Sequence, residues 1–268
     1  MLVAVPGRID SAARAFWRWA KHDLEHGVHA PDGDHTVYQT STMSALLDGV
    51  YDGDVTIAEL LRHGDFGLGT FNRLDGEMLV LDGVCHQLRA DGSARVADST
   101  ALTPFAAVTR FESDHAIDVS AARDRADLTA LIDDALPSQN LIYAIRITGT
   151  FERMSTRTVT EQHRPYPPLT QATSSQQETT FTNVTGTLAG YRMPDYEQGI
   201  AVAGYHLHFI DGARRHGGHA LDYRIGRGTV EISTCSDLHL SSPSTPEFLG
   251  AELNHADLDG QIRQSEGG

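Results

Sequence analysis

Cysteine is scarce in this chain: 268 residues contain only Cys85 and Cys235, in no metal-like spacing. That excludes a disulfide scaffold and a thiolate metal cluster, and makes a reducing compartment the default. Basic residues are also few, 21 against 36 acidic, for a formal charge of −15. Such a surface repels phosphates, so nucleic acid and anionic membranes are poor partners. No segment approaches the roughly 18 uninterrupted apolar residues of a membrane helix. The opening MLVAVPGRIDSAARAFWRWAKHD lacks both a basic region before a long apolar run and a small-residue cleavage site. A soluble cytoplasmic protein is expected. No GxGxxG follows a strand-like run and no GxSxG is present, so nucleotide and serine-hydrolase signatures are missing.

Histidine, by contrast, is plentiful, with 14 residues. Three of them, His206, His208 and His219, stand in GYHLHFIDGARRHGGHALDYR with the spacing His-x-His-x10-His. The β-branched, apolar run GIAVAGYHLHFI reads as a strand, and a period of two places His206 and His208 on one face. The glycine-rich turn DGARRHGG leads into a second alternating run, so an antiparallel hairpin lays His219 opposite His208. Opposed residues have Cβ atoms roughly 5 Å apart, within reach of one ion. Three neutral nitrogens suit Zn²⁺ and leave open the coordination position that catalytic zinc keeps. The competing reading is chance proximity of surface histidines, and His216 in the turn is the rival third ligand.

The remaining pattern predicts a β-rich α/β protein. An amphipathic helix is expected over 10–26, on Phe16, Trp17, Ala20 and Leu24. A capping box of Thr56 and Glu59 starts a short helix that closes on Gly64. From Glu77 the chain reads strand, turn, strand, turn, strand, with Asp82-Gly83 and Asp91-Gly92 as turns. Leu128, Leu131, Ile132 and Leu136 form a helical stripe stopped by Pro137, giving a helix over about 125–136. Strands resume, interrupted by RPYPPLTQATSSQQETT, whose composition cannot hold a core. The tail 244–266 reads as partly helical. The expected division is 1–30, a helical extension; 31–163, a mixed-sheet domain; 164–180, a loop; and 181–268, an antiparallel β domain with the histidines and the tail.

A second constellation is less specific. HGDFGLGTFNRLDGEMLVLDG is dense in glycine and ends in Glu77 at a strand entry. Glycines there allow close backbone or ligand approach, although such clusters are usually turns. Arg157, in STRTV, faces either an anion or water. Taken together, STMSALLDGVYDGDVTIAELLRHGDFGLGTFNRLDGEMLVLDG, VADSTALTPFAAVTRF, MSTRTV and GYHLHFIDGARRHGGHALD resemble the bacterial α-acetolactate decarboxylases over about residues 36–266.

The resemblance implies a zinc site of His206, His208 and His219, with Arg157, Glu77 and Thr70 lining the substrate pocket. It also brings a tail glutamate into the site, best matched by Glu266 with Glu252 as the fallback. It implies two domains, a larger mixed sheet and a smaller antiparallel one, with zinc between them, and a homodimer. The implied substrate, 2-acetolactate, is a β-keto acid with an adjacent hydroxyl, so two neighbouring oxygens can meet a metal. Loss of CO₂ leaves an electron pair that a Lewis acid on the ketone oxygen stabilises. Arg157 would pair with the carboxylate or the developing enediolate, and Glu77 or the tail glutamate would deliver a proton. Two other classes compete: a zinc hydrolase with Glu77 as base, and a non-catalytic module with structural zinc.

Overall fold

The computed structural model describes residues 35–267, so the helix expected over 10–26 lies outside the described residues. In chain order the strands are β1 (Thr36–Thr40), β2 (Val55–Thr56), β3 (Phe66–Thr70), β4 (Glu77–Leu81), β5 (Val84–Leu88), β6 (Ala94–Val96), β7 (Leu102–Thr103), β8 (Phe105–Thr109), β9 (His115–Val119), β10 (Arg123–Asp124), β11 (Ile142–Thr158), β12 (Gln177–Met193), β13 (Gly204–Asp211), β14 (Gly217–Cys235) and β15 (Asp237–Ser241). The helices are α1 (Met43–Leu47), α2 (Ile57–Leu60), α3 (Arg125–Ala135), α4 (Leu169–Ala172), α5 (Pro246–Leu249) and α6 (Leu258–Glu266). Among the described residues no helix is long and apolar enough to cross a membrane.

Two large sheets face each other. The first has seven strands in the order β15-β1-β8-β3-β4-β5-β6, mixed because β15 lies parallel to β1 while the other pairs are antiparallel. The second has six antiparallel strands, β10-β14-β11-β12-β13 with β9 on β14, and β13 also pairs with β14. Strands β11 to β14 therefore form a closed circuit. Register shifts along the β11–β14 pair mark bulges, which bend strands and permit such closure. Phe66, Leu68, Leu79 and Leu81 of the first sheet meet Ala144, Ala189, Tyr191 and Ile210 of the second in one buried cluster. By strand alternation Glu77 shares a face with Leu79 and Leu81, and Thr70 with Phe66 and Leu68.

The β-rich expectation agrees with this architecture, and both sheet types are present. The sheets do not, however, follow the expected boundary. β9 and β11 lie before residue 163 yet belong to the antiparallel sheet, and β15 from the C-terminal part edges the mixed one. Long-range pairing overrides chain order here. The capping box at Thr56 and Glu59 is present, but helix α2 stops at Leu60, short of Gly64. Helix α3 spans Arg125–Ala135, with Leu128 and Ile132 buried. The 164–180 segment supplies α4, whose Leu169 and Ala172 join a cluster with Met43, Leu46 and Ile262.

Candidate functional site

Strand register builds the site. His208 on β13 pairs with His219 on β14, and His219 pairs with Arg157 on β11, so the three stand abreast across three strands. His206 lies two residues before His208 and shares its face. The available nitrogens of His206, His208 and His219 lie within 4.8 Å of one another. Two of the rings are oriented by backbone carbonyls. His208 Nδ1 lies 2.7 Å from Met78 O, and His219 Nε2 lies 2.9 Å from Glu266 O. A carbonyl can only accept, so those nitrogens carry the protons. The opposite atoms, His208 Nε2 and His219 Nδ1, are buried without a hydrogen-bond partner. Buried polar atoms are rarely left unsatisfied. Two lone pairs aimed into a cluster, with carbonyls holding the far nitrogens, match the way proteins orient metal-ligating histidines.

Electrostatics hold the cluster neutral. Burial is the main cause that pulls His206 and His208 down to about 3, and it pulls His219 well below the ordinary value. Arg157 adds to all three shifts. Neutral imidazole is the form that binds a cation.

Arg157 is 3 % exposed and stands between two carboxylates. Its Nη1 lies 3.7 Å from Glu77 Oε1, and its Nη2 lies 3.2 Å from Glu266 Oε2. Nη2 also donates to Ser265 O at 2.6 Å. Glu266 Oε2 is 3.5 Å from both His206 Nε2 and His219 Nδ1, and Glu77 Oε2 is 3.8 Å from His208 Nε2. Burial raises Glu77 to about 7; the Arg157 charge and a Val159 backbone hydrogen bond pull it down, and Glu266 pushes it up. Thr70 pairs with Glu77 in the β3–β4 ladder, and its hydroxyl donates to Gly76 O at 2.9 Å.

Thr70, Glu77, Arg157, His206 and Glu266 line a pocket of about 420 Å³ counted with its opening to solvent. Its apolar wall is Met43, Leu46, Leu74, Phe105, Val159 and Leu169. The structure thus brings together every expected site residue and separates the alternatives. His216 is turned outward to Asp211, 2.9 Å away, and is not among the grouped ligands. Glu252 is exposed, and its carboxylate accepts from Asn254 N. The wall was missed by sequence reasoning. Met43 and Leu46 sit on a five-residue helix too short for a periodic signal, and Leu169 lies in the proline-rich stretch.

Fold and site together define a β-rich pocket protein whose three clustered histidines can hold a cation. The family model for alpha-acetolactate decarboxylase matches residues 37–255, and the chain belongs to that family. It is 47 % identical to the alpha-acetolactate decarboxylase of Methylococcus capsulatus over 87 % of this chain and 89 % of that one. With the Bacillus subtilis enzyme the figures are 46 %, 86 % and 91 %. The crystal structure of alpha-acetolactate decarboxylase from Bacillus subtilis strain 168 superposes with a TM-score of 0.86 at 45 % identity, over 87 % of this chain and all of that one. Glu266 lies beyond the span matched by the family model.

Proposed function

We propose that this pocket decarboxylates 2-acetolactate to acetoin and CO₂, using a zinc ion held by His206, His208 and His219. The observation that carries the reading is the pair of unsatisfied, inward-facing histidine nitrogens beside an arginine set between two carboxylates. A zinc ion held there would supply a Lewis acid for the charge that develops on the ketone oxygen.

The chain's own residues do the rest. Arg157 presents a planar fork to the substrate carboxylate and fixes the bond to be broken. As that carbon–carbon bond breaks, CO₂ leaves and the electron pair stays on the carbon that carries the hydroxyl, conjugated with the ketone. Glu77, held near neutrality by burial, delivers a proton to that carbon, and the new C–H bond completes acetoin. Glu266 is the second acid, placed against His206, His219 and Arg157. Leu74, Phe105, Val159 and Leu169 offer apolar surface to the substrate methyls and keep water from the electron pair. The reading extends to a cytoplasmic homodimer.

Purified protein should release CO₂ and acetoin from 2-acetolactate in equal amounts. Acid products without CO₂ from ester or amide substrates would favour the hydrolase reading instead.

A further inference from the structure

Two backbone segments must meet for the site to exist: the start of β14, which carries His219, and the last turn of α6, which carries Glu266. Arg125, the first residue of α3, joins them from outside the pocket. Its Nη1 donates to Leu221 O at 2.7 Å and to Gly267 O at 3.4 Å. Leu221 is two residues past His219 and has no partner in β11, where the register passes from Ser155↔Asp222 to Thr156↔Ala220. It is the extra residue of a bulge, a device that re-aims side chains beside active sites. Gly267 follows Glu266 and ends α6 in the left-handed region, at φ +69, with its N–H returned to Arg263 O at 3.0 Å. A Cβ on Gly267 would stand 3.0 Å from Leu221 Cδ2, so the bulge and the helix end are in close contact.

We infer that Arg125 is a positioning residue: by bridging the Leu221 and Gly267 carbonyls it sets where Glu266 lies against His206, His219 and Arg157. From the pocket side Arg157 binds Ser265 O and His219 meets Glu266 O. Those groups are themselves part of the proposed reacting site. Among the described residues Arg125 has no hydrogen bond to a pocket residue other than through these carbonyls, so it holds the helix end from outside the reacting site. A displacement of about 1 Å in such a group can cost on the order of 10²-fold in rate. The inference rests on the proposed function for its activity readout alone.

The test uses the full chain, with Arg125→Ala, Arg125→Lys and Gly267→Ala, each also combined with Glu266→Gln. Hydrogen exchange of the 258–267 peptide reads the clamp without reference to activity. Arg125→Ala and Gly267→Ala should speed exchange there and leave the β11–β14 peptides unchanged. They should lower kcat by roughly ten- to a hundredfold with little change in KM. Arg125→Lys should recover part of that loss, because a single ammonium nitrogen can also donate to both carbonyls but sits on a shorter stem. In the Glu266→Gln background Arg125→Ala should cost nothing further, which a general loss of stability would not reproduce. Unchanged exchange, or a loss that multiplies with Glu266→Gln, would overturn the inference. If the wild type turns over no 2-acetolactate, the functional reading fails, and faster exchange would still uphold the clamp while unchanged exchange would end it.

Discussion

Arg157 meets three demands at once: it separates Glu77 from Glu266, adds to the burial that keeps the histidines neutral, and fixes the carbonyl of Ser265. Arg157→Ala should therefore cut kcat/KM by about 10²–10³-fold, the usual loss of one electrostatic stabiliser, while the metal stays bound. Arg157→Lys should rescue little, since a point charge cannot span both carboxylates. Steady-state kinetics with metal analysis of each variant checks both. The buried ionisable groups also set how stability of the metal-free protein depends on pH. The three imidazoles are neutral when folded and protonate on unfolding below their ordinary value of 6.5, so stability falls as pH falls. Glu77 works in the opposite sense. Its folded value is raised from 4.5 to about 7, so its stabilising contribution is complete below 4.5 and lost as pH rises through 7. Three protons against one leave a net loss of roughly 3 kcal/mol per pH unit at most between about 6.5 and 4.5. Denaturant titrations of chelator-treated protein should find this slope, and Glu77→Gln should steepen it. At this scale the histidines were legible from their spacing. Arg157 was not, because its place beside His219 depends on the bulge at Leu221, which no alternation pattern reveals.

The hairpin of β13 and β14 is the element on which the site depends, and glycine makes its close approach possible. A Cβ on Gly218 would lie 2.7 Å from Arg157 O, a distance that real Cβ atoms do not tolerate. Gly218→Ala must push β14 away from β11 and part Arg157 from His219. Zinc affinity and turnover should fall together, with a lowered Tm; retained zinc affinity alongside lost turnover would argue against this account of the hairpin. The hairpin could be read in the sequence because the period of two and the turn residues agree. Helix α6 was legible only as a partly helical tail, and the choice of Glu266 over Glu252 came from resemblance rather than pattern. Structure makes that choice physical: Asp257 caps the helix through Gly260 N, and Ile262 is buried against the α1 and α4 cluster. Leu169 could not have been foreseen, since its segment gains a core only by packing on elements far away in the chain.

At the scale of the molecule, the site lies between two sheets that each recruit strands from both halves of the sequence. Thr70 and Glu77 come from the mixed sheet, and Arg157 and the histidines from the antiparallel one. Sequence patterns report local periodicity and cannot report which strands pair, which is why sheet content was predictable and the division at 164–180 was not. The chain's charge of −15 has a consequence at the same scale: under the proposed function an anionic substrate is repelled at long range and must be drawn in by local charge, for which Arg157 and a cation on the histidines would be the source. Added salt should therefore raise kcat/KM modestly by screening the repulsion, as stopped-time assays across ionic strength can check. Zinc-dependent decarboxylation is read most directly by measuring zinc per chain together with acetoin formation, before chelation, after it, and after zinc is returned, for wild type and His206→Ala. The wild type should hold about one zinc per chain, with turnover lost with the metal and regained with it, and His206→Ala should show neither zinc nor turnover. Full turnover by protein stripped of metal would contradict zinc dependence.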